Sequence, residues 1–354
     1  MKAARLHRYD ESIPEDSLQV EEIDEPKIEN PLDVIVRIGA AGLCRTDIHV
    51  IEGQWAPIQD PDGTLLPYTL GHENSGWVEE VGSAVTNVSV GDTVILHPHI
   101  TCGLCHACRA GEDMHCENAE FPGISRDGGF ADFLKTNARA VVKLDPILEP
   151  KDIAALADAG LTAHHAVRKA VPHLYAGTKA VVIGAGGLGH IGIQCLKAMT
   201  PAEIIVTDPS EEALELAKGW GADHTVKVES GYVDTVLERT DGKGAEVVFD
   251  YVGERGAEDE AWKMTRNGGY HYVIGYGGTV EIPTIDIIST ERSVIGNLVG
   301  TYNDLAELMN LTARGLVKLH TSTYPLDAVN DAIQDLNNGN LQGRGILVPD
   351  GSGS

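Results

Sequence analysis

Lys179-Ala180-Val181-Val182-Ile183-Gly184-Ala185-Gly186-Gly187-Leu188-Gly189 is the stretch on which the reading of this chain turns. Its apolar run is short enough for a buried strand, and a G-x-G-x-x-G pattern follows at once. In a chain with 40 glycines such a spacing also arises by accident. The surroundings give it weight. It follows a strand and opens the helical pattern Ile191-Gly192-Ile193-Gln194-Cys195-Leu196-Lys197, so bare glycines let backbone N–H groups and a helix N-terminus approach a pyrophosphate. Gly184, Gly186, Gly187, Leu188 and Gly189 are the phosphate-binding residues this predicts. The next strand, Glu203-Ile204-Ile205-Val206-Thr207, ends at Asp208, 19 residues beyond Gly189. A carboxylate there accepts hydrogen bonds from the adenosine ribose and repels a 2′-phosphate, which favours NAD over NADP. A turn residue before Pro209 is the plainer alternative.

Outward from this junction, strand and helix patterns alternate. A helix is expected from Glu211 to Gly219, and strands at Glu246-Val247-Val248-Phe249 and His271-Tyr272-Val273-Ile274. Alternation of this kind indicates βαβ units and a parallel sheet. Toward the N-terminus the texture changes near residue 150. Short β-like runs such as Asp33-Val34-Ile35-Val36-Arg37-Ile38 and Gly91-Asp92-Thr93-Val94-Ile95-Leu96 lie among Gly and Pro. A length of 354 residues suits two domains with substantial cores. The fold class is therefore α/β with a β-rich first domain. No internal repeat stands out, and Asp350-Gly351-Ser352-Gly353-Ser354 reads as a frayed tail.

Charge narrows the function. Acidic residues number 53 against 27 basic ones, a net charge of -26 spread along the chain. Such a surface repels nucleic acid and anionic membranes. It suits solubility in concentrated salt, where counterions screen the self-repulsion, so a halophilic source is expected; an ordinary acidic cytosolic protein is the alternative. The N-terminal stretch MKAARLHRYDESIPEDS has no apolar run after its basic residues, and nothing later approaches a membrane span, so a cytoplasmic location is expected.

Two groups of cysteine-bearing sequence carry the remaining chemistry. Cys102, Cys105, Cys108 and Cys116 follow a C-x2-C-x2-C-x7-C spacing. Four thiolates in so short a span can close a tetrahedron around zinc. Disulfides are the alternative, and six cysteines in so long a chain make a poor covalent framework. With all four positions filled by protein, such a zinc is structural. Elsewhere Gly42-Leu43-Cys44-Arg45-Thr46-Asp47-Ile48-His49 and Gly71-His72-Glu73 offer a mixed sulfur, nitrogen and oxygen set. Catalytic zinc needs three protein ligands and an open position, which this set could supply. A lone Cys is as often a small core residue, and a lone His a satisfied polar group. Cys195, on the helix after the glycine turn, reads as a buried spectator.

These motifs together resemble the zinc-containing alcohol dehydrogenases of the medium-chain dehydrogenase/reductase family, most of all their archaeal and bacterial tetrameric branch. The resemblance rests on Gly71-His72-Glu73, the four-cysteine lobe, Gly129-Phe130-Ala131-Asp132-Phe133 and the glycine fingerprint, and spans nearly the whole chain. It implies a GroES-like catalytic domain of residues 1–155 and 290–354, with a zinc lobe at 97–120, packed on a Rossmann domain of residues 156–289. The active site is then expected in the cleft, and the protein as a homotetramer.

The same resemblance implies a role for each site residue. Cys44 and His72 would ligate catalytic zinc, with Glu73 as an alternate ligand and Asp158 as the third fixed one, at a position where relatives carry Cys or Asp. Thr46 and His49 match the family's proton relay, and Asp47 the carboxylate that orients the histidine ligand. Arg45 matches a basic residue against the cofactor pyrophosphate, with a surface ion pair as the alternative. Trp55, His99, Phe121 and Leu298 resemble substrate-pocket positions; His99 departs from relatives that often have a bulky aromatic there. The implied reaction is reversible oxidation of small primary or secondary alcohols to aldehydes or ketones with hydride transfer to NAD, using two zinc ions per subunit. A sugar or polyol dehydrogenase on the same scaffold is the rival reading.

Overall fold

The computed structural model describes residues 1–350, and the chain divides into two units. The first comprises Met1–Ala159, Thr301–Ala313 and Lys318 onward; the second comprises Gly160–Gly300 with Arg314–Val317.

In the first unit a seven-stranded sheet carries the site. Its order is Thr321–Pro325, Arg344–Val348, Asp33–Leu43, Glu73–Val81, Thr93–Leu96 and Val141–Lys143, with Phe133–Asn137 also paired to Asp33–Leu43. A smaller sheet joins Gln19–Glu22, Lys2–Leu6 and Tyr68–Thr69. Apart from the parallel pair Thr321–Pro325 and Arg344–Val348, the pairings are antiparallel. Strand Asp33–Leu43 lies at the centre of the large sheet and is buried at every residue but Arg37, as a strand covered on both faces must be. The expected run Gly91–Leu96 is strand only from Thr93. Gly91 adopts φ +89, and the Asp92 carboxylate accepts from the Ser89 N–H at 2.9 Å, so the two residues make the turn that precedes the strand.

The second unit is a six-stranded parallel sheet in the order His224–Lys227, Glu203–Asp208, Lys179–Ile183, Ala245–Asp250, Thr265–Val273, Ser293–Gly296. Numbered along the chain this is 3-2-1-4-5-6, the order of the dinucleotide-binding Rossmann fold, whose strand order reverses beside Lys179–Ile183. Helices Gly189–Met199, Glu211–Trp220, Tyr232–Arg239 and Ala257–Met264 connect consecutive strands. Strand Ser293–Gly296 pairs with Thr265–Val273 and so joins this sheet, which carries the unit to Gly300 rather than stopping at the expected residue 289. Among the described residues no helix is long and apolar enough to cross a membrane.

Candidate active site

Sheet register brings the mixed donor set together. Gly42 pairs with Glu73, so the ends of two neighbouring strands hold Cys44 and His72 side by side. A third side chain comes from the turn Ala154–Ala157, four buried apolar residues packed on this sheet, after which Asp158 leaves the turn. Gly71 keeps the approach open. It sits at φ +95, and a Cβ there would fall 2.3 Å from the Phe130 ring.

The result is a compact cluster of unlike donors. One donor atom each from Cys44, His72, Glu73 and Asp158 lies within 4.8 Å of the others. The imidazole Nδ1 of His72 meets Asp47 Oδ1 at 3.2 Å, and the other oxygen of Asp47 accepts from the Cys44 N–H at 2.8 Å. Asp47 thus cross-links two of the donors while capping the helix Arg45–Ile51 that it belongs to. Nε2 of His72 is buried without a hydrogen-bond partner, 3.5 Å from Asp158 Oδ2, and Asp158 Oδ1 is likewise unpartnered. Unsatisfied buried polar atoms are costly. A cation among them removes that cost, and thiolate, imidazole and carboxylate are the ligands zinc takes, so the residues fit the metal.

Glu73, a member of the cluster, is also engaged by two other groups. Its Oε1 accepts from the Ala159 N–H at 2.9 Å, and its Oε2 from Arg344 Nη2 at 2.5 Å. Arg344 opens the strand Arg344–Val348 and is buried; no sequence motif pointed to it, although a cation heading an apolar strand was a visible oddity. Burial raises the Glu73 carboxyl above its ordinary range, with Arg344 acting against it. Burial also disfavours an imidazolium at His72, yet Asp47 and Asp158 override it and raise that group. Asp158 goes the other way: burial would raise it, but its contact with His72 and the charges of His72 and Arg344 lower it.

The remaining expected residues distribute as follows. Thr46 and His49 lie three apart, and so on neighbouring positions of one face, in the helix begun at Cys44, each half-buried. Arg45 is exposed and its Nη1 donates to Asn337 Oδ1 at 3.3 Å. Phe121 meets the His72 ring edge-on at 5.8 Å and the His99 ring at 4.4 Å. His99 is buried, its Nδ1 has no partner, and burial, followed by neighbouring His97, lowers its pKa to about 4. Trp55 packs against the hydrophobic core of the first unit, and Leu298 lies half-exposed in the second.

The four sulfurs of Cys102, Cys105, Cys108 and Cys116 form a second cluster within 4.8 Å, with no disulfide. Backbone amides of Leu104 and Cys105 donate to Cys102 Sγ at 3.4 Å, and that of Cys102 to Cys116 Sγ at 3.3 Å. These N–H bonds favour thiolates, and Leu104 and Cys105 lower the Cys102 thiol to about 6. The site fits a four-thiolate zinc.

In the second unit the glycine turn borders a cavity of about 360 Å3 lined by Gly184, Gly186, Gly187, Leu188, Gly189 and Asp208 among others. Gly189 permits the turn, since a Cβ there would lie 1.8 Å from the Gly184 carbonyl oxygen, whereas Gly186 faces open space. Asp208 Oδ2 accepts from the Ala185 N–H at 2.8 Å and Oδ1 from the Ser210 N–H at 2.8 Å, so the carboxylate tethers the turn. A glycine cradle with a carboxylate at the end of the second strand fits a dinucleotide.

A parallel-sheet nucleotide unit, together with a mixed zinc-type donor set and a four-cysteine lobe, defines a zinc-type dehydrogenase. Comparison with known proteins agrees: residues 30–146 match the alcohol dehydrogenase GroES-like domain, and residues 187–314 the zinc-binding dehydrogenase domain. The chain belongs to the zinc-type alcohol dehydrogenase family of medium-chain dehydrogenases/reductases. It is similar to the crystal structure of the alcohol dehydrogenase from the hyperthermophilic archaeon Aeropyrum pernix, at 46% identity and a TM-score of 0.92 over 99% of this chain and 100% of that one. An NAD-dependent alcohol dehydrogenase of Sulfurisphaera tokodaii is 37% identical over 94% of this chain and 96% of its own length. A D-arabinose 1-dehydrogenase (NADP(+)) of Saccharolobus solfataricus is 33% identical over 98% of this chain and 97% of its own.

Proposed function

We propose that this chain is an NAD-dependent alcohol dehydrogenase interconverting small primary or secondary alcohols with their aldehydes or ketones, with one catalytic and one structural zinc per subunit. The observation that carries this reading is the unpartnered His72 Nε2 and Asp158 Oδ1 converging beside Cys44. When bound, zinc at these residues would supply Lewis acidity toward a hydroxyl, and NAD a hydride acceptor.

The chain's own residues do the rest. Asp47 accepts the Nδ1 proton of His72, which leaves the Nε2 lone pair turned toward the donor cluster. Arg344 and the Ala159 amide occupy Glu73, so Cys44, His72 and Asp158 are the three residues that would hold the metal. Thr46 takes the hydroxyl proton, and His49, one turn on, passes it to solvent. Phe121 supplies an apolar wall against His72. Gly184 to Gly189 hold the pyrophosphate and Asp208 the adenosine ribose, with NAD preferred to NADP because a 2′-phosphate would meet a carboxylate.

Metal analysis with a substrate panel tests the reading. Two zincs per chain are expected, with chelation abolishing NADH formation. A sugar or polyol dehydrogenase is the second reading, favoured by the buried, unpartnered Nδ1 of His99 beside Phe121, a polar group able to meet a second hydroxyl. Rates on ethanol and 2-propanol against sorbitol and glucose separate the two. A homotetramer in the cytoplasm completes the proposal, checked by light scattering and cell fractionation. The acidic surface further supports adaptation to salt; equal melting in dilute and multimolar potassium chloride would refute it.

A further inference from the structure

The cavity beside the glycine turn continues past Asp208 to two residues that no sequence motif marked, Tyr232 and Glu260. Tyr232 begins the helix Tyr232–Arg239 and is buried; Glu260 lies in the first turn of the helix Ala257–Met264 and is half-buried. The two helices bring the phenol and the carboxylate together, and Tyr232 Oη donates to Glu260 Oε2. Burial, and then Glu260 itself, raises the phenol well above its ordinary range, so the proton stays on the tyrosine. Val228 and Val252 add apolar wall suited to the faces of a flat ring.

After that donation the pair has no hydrogen left to offer. A carboxylate only accepts, and a phenol whose proton is committed presents only lone pairs. Glu254, in the same wall, also accepts, and Arg255, whose Nε lies 3.3 Å from Glu254 Oε1, is the exposed donor at the rim of that wall. With Asp208 fixing the adenosine ribose, the base falls toward the accepting pair Tyr232 and Glu260. An exocyclic amino group donates there, whereas a 6-oxo group would set its lone pairs against those of Glu260 and Tyr232.

We propose that Tyr232 and Glu260 select the base of the dinucleotide, accepting from the 6-amino group of adenine and discriminating against 6-oxopurines. The inference rests on the NAD reading above, and its test separates the two. Calorimetric titration of the purified full-length protein would use NADH and reduced nicotinamide hypoxanthine dinucleotide, which differ in the amino or oxo group at that position and in the hydrogen that N1 carries beside the oxo group. NADH should bind at least about tenfold tighter. Glu260→Gln, whose amide can donate to an oxo group, should narrow the ratio to about threefold or less, partly by strengthening the hypoxanthine nucleotide. If that variant fails to fold by circular dichroism, Tyr232→Phe serves in its place and should also narrow the ratio. Tight and equal binding of both nucleotides by the unsubstituted protein would overturn base selection while leaving the NAD reading intact. A ratio unchanged in a folded variant would overturn it too. Binding of neither nucleotide would bring down the NAD reading and the inference with it.

Discussion

The two cysteine-bearing clusters of the first unit use overlapping chemistry in opposite ways. Cys102, Cys105, Cys108 and Cys116 come from one loop of 15 residues, three of them only partly buried, and their sulfurs are satisfied in part by amides of that same loop. Cys44, His72 and Asp158 come from three separated segments, juxtaposed by strand register and by the packing of a buried turn on the sheet. Local closure fills every ligand position from within, which suits a staple. Non-local assembly leaves unlike donors around a space that substrate can share. Sequence proximity therefore marks the four-cysteine cluster, and sheet topology assembles the mixed one, to which the proposed function gives the structural and the reactive role respectively.

The sharpest way to break this contrast is Cys44→Ser. It removes a zinc donor from the assembled site and none from the loop, so kcat/KM should fall at least about a thousandfold. Elemental analysis should read one zinc per chain instead of two. Loss of both ions would mean that the clusters are not independent. Asp158 offers a finer cut. Asp158→Ala leaves His72 Nε2 facing a gap and should slow turnover about a hundredfold with looser zinc. Asp158→Cys restores a donor of softer character and should keep the metal with activity within about tenfold of the parent. Zinc content and rate unchanged in Asp158→Ala would remove Asp158 from the ligand set.

The loop cluster answers to a different measurement. Cys102→Ser should leave kcat at room temperature within about threefold, because nothing in that cluster meets substrate, while thermal inactivation accelerates about tenfold. A collapse of kcat in freshly prepared protein would erase the division between staple and reactive centre.

How much of this was legible depended on whether the physics was local. The βαβ units and their parallel sheet followed from alternating patterns and a glycine fingerprint, since each βαβ unit is a short-range object, whereas the strand order did not. The C-x2-C-x2-C-x7-C spacing read directly as one site for the same reason. Cys44 and His72 lie 28 residues apart, and the residues alone left them open between ligand and core until the family resemblance was weighed. Arg344 and the pair Tyr232 and Glu260 escaped notice because their partners are set by strand pairing and helix packing, which no spacing rule encodes. The domain edge slipped from 300 to 289 because Ser293-Val294-Ile295-Gly296 is a short edge strand with alternating half-burial, a weak pattern beside the buried central strands.

The smallest expected effect concerns the helix that starts at Cys44. Its first turn serves the donor cluster through Asp47, and Thr46 and His49 sit on neighbouring positions of the same helix, one turn apart. If that helix also carries protons away from the reaction, His49→Gln should leave both metals and the fold untouched and slow alcohol oxidation about fivefold below neutral pH. The deficit should fade as the solution becomes alkaline, because hydroxide and buffer bases then take the proton from Thr46 without an intermediary. Rates across pH 5.5 to 9.5 in buffers of constant ionic strength, with added imidazole as a possible rescuer, read this out. A deficit equal at every pH and indifferent to imidazole would confine His49 to packing. The donor cluster would then stand as the reactive region without a relay.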